Sequence, residues 1–265
     1  MKNIILAIAL VLPVSFSVQA SESSIGTANQ SKTVKSPSNR VAMLELYTSE
    51  GCSSCPPADK FLNNLKAEGI SEQQLIPLAF HVTYWDYIGW KDRFAKAGFD
   101  ARQRDLAHKN KQKTVYTPQF VLIGDDFRRY SRFSENVNAI VAEQSEVDLV
   151  LTVSKHVDEF HIQLASTISD AKVKDVGLYL AIVENNLSSD VADGENEGET
   201  LLHNYVVRQL STPYFHSKPE VTLEREHVIA INPEWKKEDL SIVAFAENPH
   251  TGEILQAVKY NYEMD

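Results

Sequence analysis

A pair of cysteines separated by two residues, set between an apolar run and a helical pattern, constrains the fold of this chain most. Residues 41–47 are mostly apolar, which is typical of a strand buried on both faces. Cys52 and Cys55 follow after a short turn, and beyond them apolar residues recur at helical spacing as far as Gly69. Residues 76–82 form a second apolar run. The order strand, helix, strand predicts a parallel α/β unit.

The cysteine content indicates reactivity rather than a structural crosslink. Cys52 and Cys55 are the only cysteines among 265 residues, and a bridge between them closes too short a loop to stabilise a domain of this size appreciably. At a helix N-terminus, unpaired backbone N–H groups and the helix dipole stabilise a thiolate. A second nearby cysteine can then resolve a mixed disulfide. The spacing therefore predicts thiol–disulfide exchange, with Cys52 as the attacking thiolate and Cys55 as the resolving thiol.

Pro56 and Pro57 leave two positions for the start of the helix. Proline lacks an N–H group and belongs in the first helical turn. If the helix begins at Cys52, the two prolines remove two early hydrogen bonds and distort the first turn. If it begins at Pro56, both cysteines lie in the preceding loop. The sequence is compatible with both arrangements.

The N-terminal residues predict export. Residues 1–20 have the features of a signal peptide, because Lys2 supplies a positive charge, residues 4–12 are apolar, and residues 18–20 end in the small residues that a signal peptidase requires. Small polar residues dominate residues 21–39, which we expect to form a flexible leader. No later stretch is long and apolar enough to cross a bilayer, so we expect no membrane span after signal cleavage. The expected location is periplasmic or secreted.

The character of the sequence changes near residue 146. Residues 40–145 carry the α/β pattern, including a second helical stretch and a proline that leads into an apolar strand. Residues 146–265 contain about seven short β-prone runs separated by turn clusters, a spacing typical of a β-sandwich. We therefore predict two domains, which span residues 40–145 and residues 146–265.

Residues 43–65, followed by Thr117 and Pro118, resemble the thioredoxin superfamily. The shared features are a buried strand, the Cys-x-x-Cys pair, a long helix, and a later proline before an apolar strand. The resemblance implies the fold class α/β, with a thioredoxin-like N-terminal domain followed by an all-β sandwich domain. It also implies that the peptide bond before Pro118 is cis and packs beside the cysteines. Pro118 then belongs to the catalytic centre, and Thr117 binds the substrate through its backbone.

A wider pattern, residues 45–59 together with residues 81–86, is similar to an uncharacterised family of exported bacterial thioredoxin-like proteins. That family, a domain of unknown function, also has a β-rich C-terminal half. The resemblance implies a fold and a chemistry, but it implies no substrate. Ser53 and Ser54 replace the dipeptides of the best-known reductases and oxidases, so a redox potential does not carry over from them.

Several residues near the cysteines are candidates for the site. The reductases of the superfamily keep a buried acid six residues before the first cysteine, where this chain has Leu46, and strand alternation directs Glu45 to the opposite face. Asp86 follows the second predicted strand, at the sheet edge where catalytic groups gather, and is the candidate proton acceptor, with a solvated loop residue as the simpler interpretation. Trp85 is a candidate for substrate binding or for packing. His81 is interpreted as a hydrogen-bonded core residue.

Charge and ligand patterns set the expected partners. The net charge of −10 argues against a general nucleic-acid-binding surface, so we expect cysteine-containing exported proteins or a redox partner. We expect no cofactor and no metal site, because zinc normally takes four ligands and the histidines after residue 146 lack ligand spacing. The acidic residues 194–199 are interpreted as a solvated loop. The rival hypothesis is a non-catalytic periplasmic binding protein, in which the cysteines tie a loop or, with His81, hold a thiophilic metal such as Cu(I).

Overall fold

A computed structural model describes residues 31–262 of the chain. These residues are mostly β, with 42% of them in strands and 19% in helices. Within the described residues the strands are β1 Ser31–Lys35, β2 Ala42–Thr48, β3 Leu75–His81, β4 Gln119–Leu122, β5 Asp125–Phe127, β6 Val147–Lys155, β7 Glu159–Ile168, β8 Val176–Glu184, β9 Leu187–Asp190, β10 Thr200–His203, β11 Val206–Leu210, β12 Tyr214–His216, β13 Thr222–Ala230, β14 Leu240–Glu247 and β15 Ile254–Asn261. The α-helices are α1 Pro56–Asn64, α2 Ala97–Lys109 and α3 Phe133–Val141, and 3₁₀ helices span Thr83–Ile88, Tyr130–Arg132 and Lys237–Asp239.

Nine of the described strands form one sheet. Its order is β15-β14-β8-β11-β3-β2-β4-β5, and β12 pairs with β8. β2 lies parallel to β3 and antiparallel to β4. β3 also pairs in parallel with β11, where Val206 lies opposite Ala79 and the Ala79 amide donates to the Tyr205 carbonyl at 2.7 Å. Strands from both halves of the chain therefore share this sheet.

Two hydrophobic cores lie on the two faces of the sheet. Along β8, Leu178, Leu180 and Ile182 belong to one core and Ala181 and Val183 to the other, as the two-residue side-chain period of a strand requires. The core that contains Ala181 also receives the buried side chains of α1, α2 and α3. The other core is closed by a four-stranded sheet of order β1-β6-β7-β13. The β9-β10 hairpin contacts α1.

The predicted fold class, α/β with a thioredoxin-like domain followed by a β-sandwich, is wrong. The structure is mostly β with several sheets, and β8, β11, β14 and β15 complete the sheet that β2 and β3 begin. The strands themselves are visible as local patterns, but the pairing of β3 with β11 joins segments far apart in the chain and leaves no local signal. The predicted boundary near residue 146 falls between α3 and β6 and stays a prediction.

The predicted signal peptide, residues 1–20, lies outside the described residues, as do residues 21–30 of the predicted leader. The remainder of the predicted leader is ordered, because β1 pairs antiparallel with β6 and Asn39 bridges to Gln144. β1 is a mostly exposed edge strand, so its polar composition conceals it from a pattern based on apolar residues. Of the helices in residues 31–262, none combines the length and apolar character needed to cross a bilayer.

Candidate functional site

The two cysteines lie in the loop that joins β2 to α1. β2 ends at Thr48, α1 begins at Pro56, and Cys55 is the N-cap residue whose carbonyl accepts the first helical hydrogen bonds. The structure therefore has the second of the two helix starts that the prolines allow. Cys52 and Cys55 form a disulfide, with their Cα atoms 5.4 Å apart. Both residues are 0% exposed, so solvent does not reach either sulfur while the loop keeps this conformation.

Two hydroxyl groups contact the sulfur of Cys52. Thr117 Oγ1 donates to Cys52 Sγ at 3.3 Å, and Ser54 Oγ lies 3.3 Å from the same sulfur. Trp85 Nε1 donates to Thr117 Oγ1 at 2.7 Å, which orients and polarises the threonine hydroxyl. The peptide bond between Thr117 and Pro118 is cis. Hydroxyl donors at this position would stabilise a Cys52 thiolate after reduction of the disulfide.

Asp86 stands apart from the other predicted site residues. It lies in the 3₁₀ helix Thr83–Ile88, and its Oδ1 accepts a hydrogen bond from the Asp92 amide at 3.2 Å. Burial raises the pKa of Asp86 above its ordinary value. Within residues 31–262, which include both cysteines, Asp86 makes no hydrogen bond to Cys52 or Cys55. The residue that contributes to the cysteine site from this helix is Trp85.

A loop from the C-terminal half contacts the cysteine loop. Residues 191–199 join β9 to β10, and we call them the covering loop. Asn196 Nδ2 donates to the Cys52 carbonyl at 3.2 Å and, at 2.7 Å, to the carbonyl two residues earlier. Glu195 Oε2 accepts hydrogen bonds from the amide and the hydroxyl of Ser53, at 3.0 and 2.7 Å. These contacts hold the covering loop against the disulfide.

A group of ionisable side chains is buried next to the cysteine loop. We call Glu50, Asp59, His81, Asp92 and His203 the buried polar cluster. His203 Nε2 lies 3.2 Å from Glu50 Oε1, and His81 Nδ1 lies 2.7 Å from Asp92 Oδ2. The same Asp92 oxygen accepts the Glu50 amide at 2.9 Å, so the contacts form one network. Two members, Glu50 and Asp59, flank the cysteines in the chain.

Interactions within the cluster shift its pKa values. Burial lowers the pKa of His203, but its interactions with the nearby carboxylates of Asp59 and Glu50 outweigh burial and raise it to about 9. Burial raises the pKa of Glu50, and hydrogen bonds, first that of His203, outweigh it and lower this pKa. For Asp92, the charge and hydrogen bond of His81 outweigh burial and lower the pKa. At neutral pH His203 is therefore protonated, and Glu50 and Asp92 are ionised.

Sequence reasoning did not find four members of this cluster, namely Glu50, Asp59, Asp92 and His203. Glu50 and Asp59 had a weak signal, since one precedes the cysteine loop and the other is a carboxylate on the buried side of a helix that also carries Leu62. His203 had none, because only the tertiary structure places it beside His81, with ring centroids 5.0 Å apart. His81 itself is the buried, hydrogen-bonded residue that the sequence indicates. The covering loop was likewise interpreted as solvated.

Comparisons with known proteins bear on family and fold. The profile of a family described as "Protein of unknown function (DUF1223)" matches residues 43–247. No curated protein matches the chain. A solved structure of a protein from Agrobacterium tumefaciens is 22% identical with a TM-score of 0.61, covering 86% of this chain and 97% of that one. HBP35 of Porphyromonas gingivalis is 15% identical with a TM-score of 0.63, covering 84% and 75%. At such identities the two likenesses show a shared fold alone.

Proposed function

The chain belongs to the DUF1223 family of proteins of unknown function, and we propose that it is an exported thiol–disulfide oxidoreductase acting through Cys52 and Cys55. The expected membership of an uncharacterised family is confirmed by this match. No comparison names the thioredoxin superfamily, so the likeness of the cysteine site to that superfamily is part of the proposal. The observation that carries the proposal is the Thr117 hydroxyl, which Trp85 orients and which donates to the sulfur of Cys52.

Exchange at this site takes two steps. A substrate thiolate attacks Cys52 Sγ, the Cys52–Cys55 bond breaks, and its electron pair leaves on Cys55 Sγ, which takes up a proton. A second substrate thiolate then attacks the substrate sulfur of the mixed disulfide and releases Cys52 as a thiolate, to which Thr117 donates. The two substrate thiols become one disulfide and lose two electrons, which the cysteine pair gains. Of the two protons released by the substrate thiols, one is taken up by Cys55 Sγ and the other goes to solvent. The reverse sequence reduces a substrate disulfide.

The proposed substrates are cysteine-containing exported proteins or a redox partner. A disulfide persists in oxidising compartments and is rare in the cytosol, and the pair in this chain is disulfide-bonded. This supports export, with a periplasmic or secreted location. The cis peptide bond between Thr117 and Pro118, together with the contact of the Thr117 hydroxyl with Cys52 Sγ, supports the proposal that these two residues contact a substrate chain.

Exchange also requires the covering loop to move. Both cysteines are 0% exposed, and a thiolate must approach Cys52 Sγ along the disulfide axis. The covering loop contacts the cysteine loop through the side chains of Asn196 and Glu195, and hydrogen bonds of this kind contribute only modestly to stability. We therefore assign the covering loop the role of a removable shield over the disulfide.

Replacing Cys55 with alanine is expected to trap the substrate. In Cys55→Ala, Cys52 still attacks a substrate disulfide, but no resolving thiol is present, so mixed disulfides accumulate. The variant is expressed in its exported form, thiols are quenched with acid, and adducts are resolved on non-reducing gels. We expect bands that disappear on reduction and that identify the partner proteins.

The matched control is Cys52→Ala/Cys55→Ala, which has no sulfur nucleophile and is expected to form no adduct. Cys52→Ala alone tests which sulfur attacks, and it is expected to give few adducts or none. If Cys55→Ala forms no more adducts than the double variant, the disulfide is a static loop crosslink. The non-catalytic binding protein then becomes the better hypothesis.

Releasing the covering loop is expected to accelerate reduction of the disulfide. Asn196→Ala removes two hydrogen bonds to the cysteine loop, each worth about 0.5–1.5 kcal/mol. If opening limits access, the rate of reduction by a small dithiol rises by about tenfold, since 1.4 kcal/mol corresponds to a factor of ten. The rate is measured as thiol release under pseudo-first-order conditions.

Glu197→Ala provides the control in the same loop, because the Glu197 side chain is exposed. Its reduction rate is expected to equal that of the unmodified protein. Equal rates for Asn196→Ala and Glu197→Ala would show that the covering loop does not limit access to the sulfurs.

A further inference from the structure

We infer that Asp59, His81 and His203 form a binding site for a divalent transition-metal ion of borderline softness, such as Zn²⁺. One ligand atom from each of these buried residues lies within 4.8 Å of those of the other two. The site uses no sulfur and does not depend on the proposed exchange activity. It also replaces the sequence-based expectation of no metal site, which rested on ligand spacing along the chain.

Each histidine has one nitrogen paired with a carboxylate and one nitrogen without a partner. His81 Nδ1 lies 2.7 Å from Asp92 Oδ2, and His203 Nε2 lies 3.2 Å from Glu50 Oε1. His81 Nε2 and His203 Nδ1 are buried and have no hydrogen-bond partner among residues 31–262. The two side chains are 0% and 2% exposed, so water does not satisfy these nitrogens from the surface. Unpaired buried nitrogens are unfavourable, and a metal ion would satisfy both, displacing the proton from His203 Nδ1 as it binds.

Asp59 resembles the two histidines, because one of its carboxylate oxygens is held by a hydrogen bond and the other faces the proposed site. Its Oδ2 accepts a hydrogen bond from Thr48 Oγ1 at 3.0 Å. Its Oδ1 faces His203 Nδ1 at 3.9 Å, beyond hydrogen-bond distance. Thr48 therefore anchors Asp59, as Glu50 and Asp92 anchor the two histidines. Ligands held from behind by carboxylates and hydroxyls are typical of protein metal sites, because such partners fix ligand orientation and raise ligand basicity.

The ligand set selects the kind of ion. Two imidazoles and one carboxylate suit Zn²⁺ and similar ions, whereas Ca²⁺ and Mg²⁺ prefer oxygen ligands throughout. The cluster also holds three buried carboxyl groups, those of Glu50, Asp59 and Asp92, whose charge a dication would offset. In a tetrahedral site with bonds of ~2 Å, ligand atoms are ~3.3 Å apart. Starting from separations of at most 4.8 Å, the three side chains need only close slightly on the ion.

The test is a titration of the purified protein with Zn²⁺ alone, after treatment with a chelator and with the disulfide kept intact. The intact disulfide excludes the cysteines as ligands, so the result does not depend on exchange activity. Calorimetry is expected to show one ion bound per chain. Asp59→Asn is expected to lower the affinity by about 100-fold or more. Asp92→Asn, which changes the hydrogen-bond partner of His81 and leaves the three ligands in place, is expected to lower it by about 10- to 100-fold.

A surface group supplies the control, since His156, Glu159 and His161 also bring three ligand atoms together. His161→Ala is expected to keep the one-per-chain site. The inference is overturned if the unmodified protein binds no Zn²⁺, if binding is lost in His161→Ala, or if Asp59→Asn binds as tightly as the unmodified protein. Circular dichroism checks that Asp59→Asn folds. If Asp59→Asn does not fold, the visible absorption spectrum of Co²⁺ bound to His161→Ala provides the test. A spectrum typical of a low-coordinate ion, without a sulfur band, supports the site. A spectrum typical of an octahedral ion overturns it.

Discussion

Replacing Arg102 with methionine is expected to lower the free energy of unfolding by about 3–5 kcal/mol, the cost of removing one partner from a buried ion pair. Arg102 in α2 donates to both carboxylate oxygens of Glu45 in β2, at 2.8 and 2.6 Å. It also donates to Glu247 Oε2 in β14 at 2.9 Å. The side chains of Arg102, Glu45 and Glu247 are only 6%, 1% and 1% exposed. Methionine keeps much of the length but leaves buried carboxylates without their cation.

Glu45 is the residue most affected by this change. Glu247 keeps a second cation, because Lys109 Nζ lies 3.1 Å from its Oε1. Among residues 31–262, Glu45 keeps only the Tyr47 hydroxyl, which donates to it at 2.7 Å. The sequence places Glu45 on the face opposite to the cysteines, and the structure gives this carboxylate a partner in α2 rather than a role in proton transfer.

Urea denaturation followed by circular dichroism measures the effect, as a shift of the midpoint at constant slope. The matched control is Arg104→Met, on the same helix, where the side chain is 57% exposed and lies 4.0 Å from Asp100. Exposed pairs contribute about 0–1 kcal/mol, so this control is expected to change little. Loss of stability by Arg102→Met no greater than that of Arg104→Met would contradict the assigned role of the buried pair.

Replacing Gly124 with alanine is expected to cost about 2–5 kcal/mol, from backbone strain and overpacking together. Gly124 lies between β4 and β5 at a φ of +100°. A Cβ atom there would overlap the carbonyl oxygen of Gly252 and lie 2.7 Å from its carbonyl carbon. Both contacts are to backbone, so no side-chain rotation relieves them. Since Gly252 lies in the turn between β14 and β15, the clash would separate two parts of the large sheet.

Gly69→Ala separates strain from overpacking. Gly69 has a similar φ of +85°, but a Cβ atom there meets nothing within 4 Å. Its substitution is expected to cost only the backbone strain, about 1–2 kcal/mol. The difference between the two variants, measured by denaturation in the same buffer, gives the cost of the contact with Gly252. Equal losses in the two variants would mean that the close approach of the two turns contributes nothing.

Much of the structure around the cysteines could be predicted from local patterns. The apolar runs at residues 41–47 and 76–82 correspond to β2 and β3, each shifted by one residue. Both strands are buried throughout, so their composition alone marks them. The fold class could not be predicted in the same way. β3 has one partner close in the chain and another, β11, that follows it by more than a hundred residues.

The candidate site, too, could be predicted only in part from the sequence. Cys52 is placed by the end of a strand and the start of a helix, both of which follow from residue patterns within one short segment. Thr117 and Trp85 come from two further segments. The family resemblance implies that Thr117 lies beside the cysteines, but the hydrogen bond between Trp85 and Thr117 is found only in the tertiary structure. The contact of Asn196 with the cysteine loop could not be anticipated at all, since Asn196 belongs to the other half of the chain.

The sequence by itself determined that two sulfurs lie where a buried strand gives way to a helix, because apolar periodicity and proline placement act over a few neighbouring residues. Only the tertiary structure decided that Asn196 donates to the backbone beside those sulfurs and that His203 meets His81. The β9-β10 hairpin carries both residues to α1 through contacts between segments distant in the chain. Such contacts depend on how whole sheets pack, and packing of that kind leaves no periodic signal in the sequence.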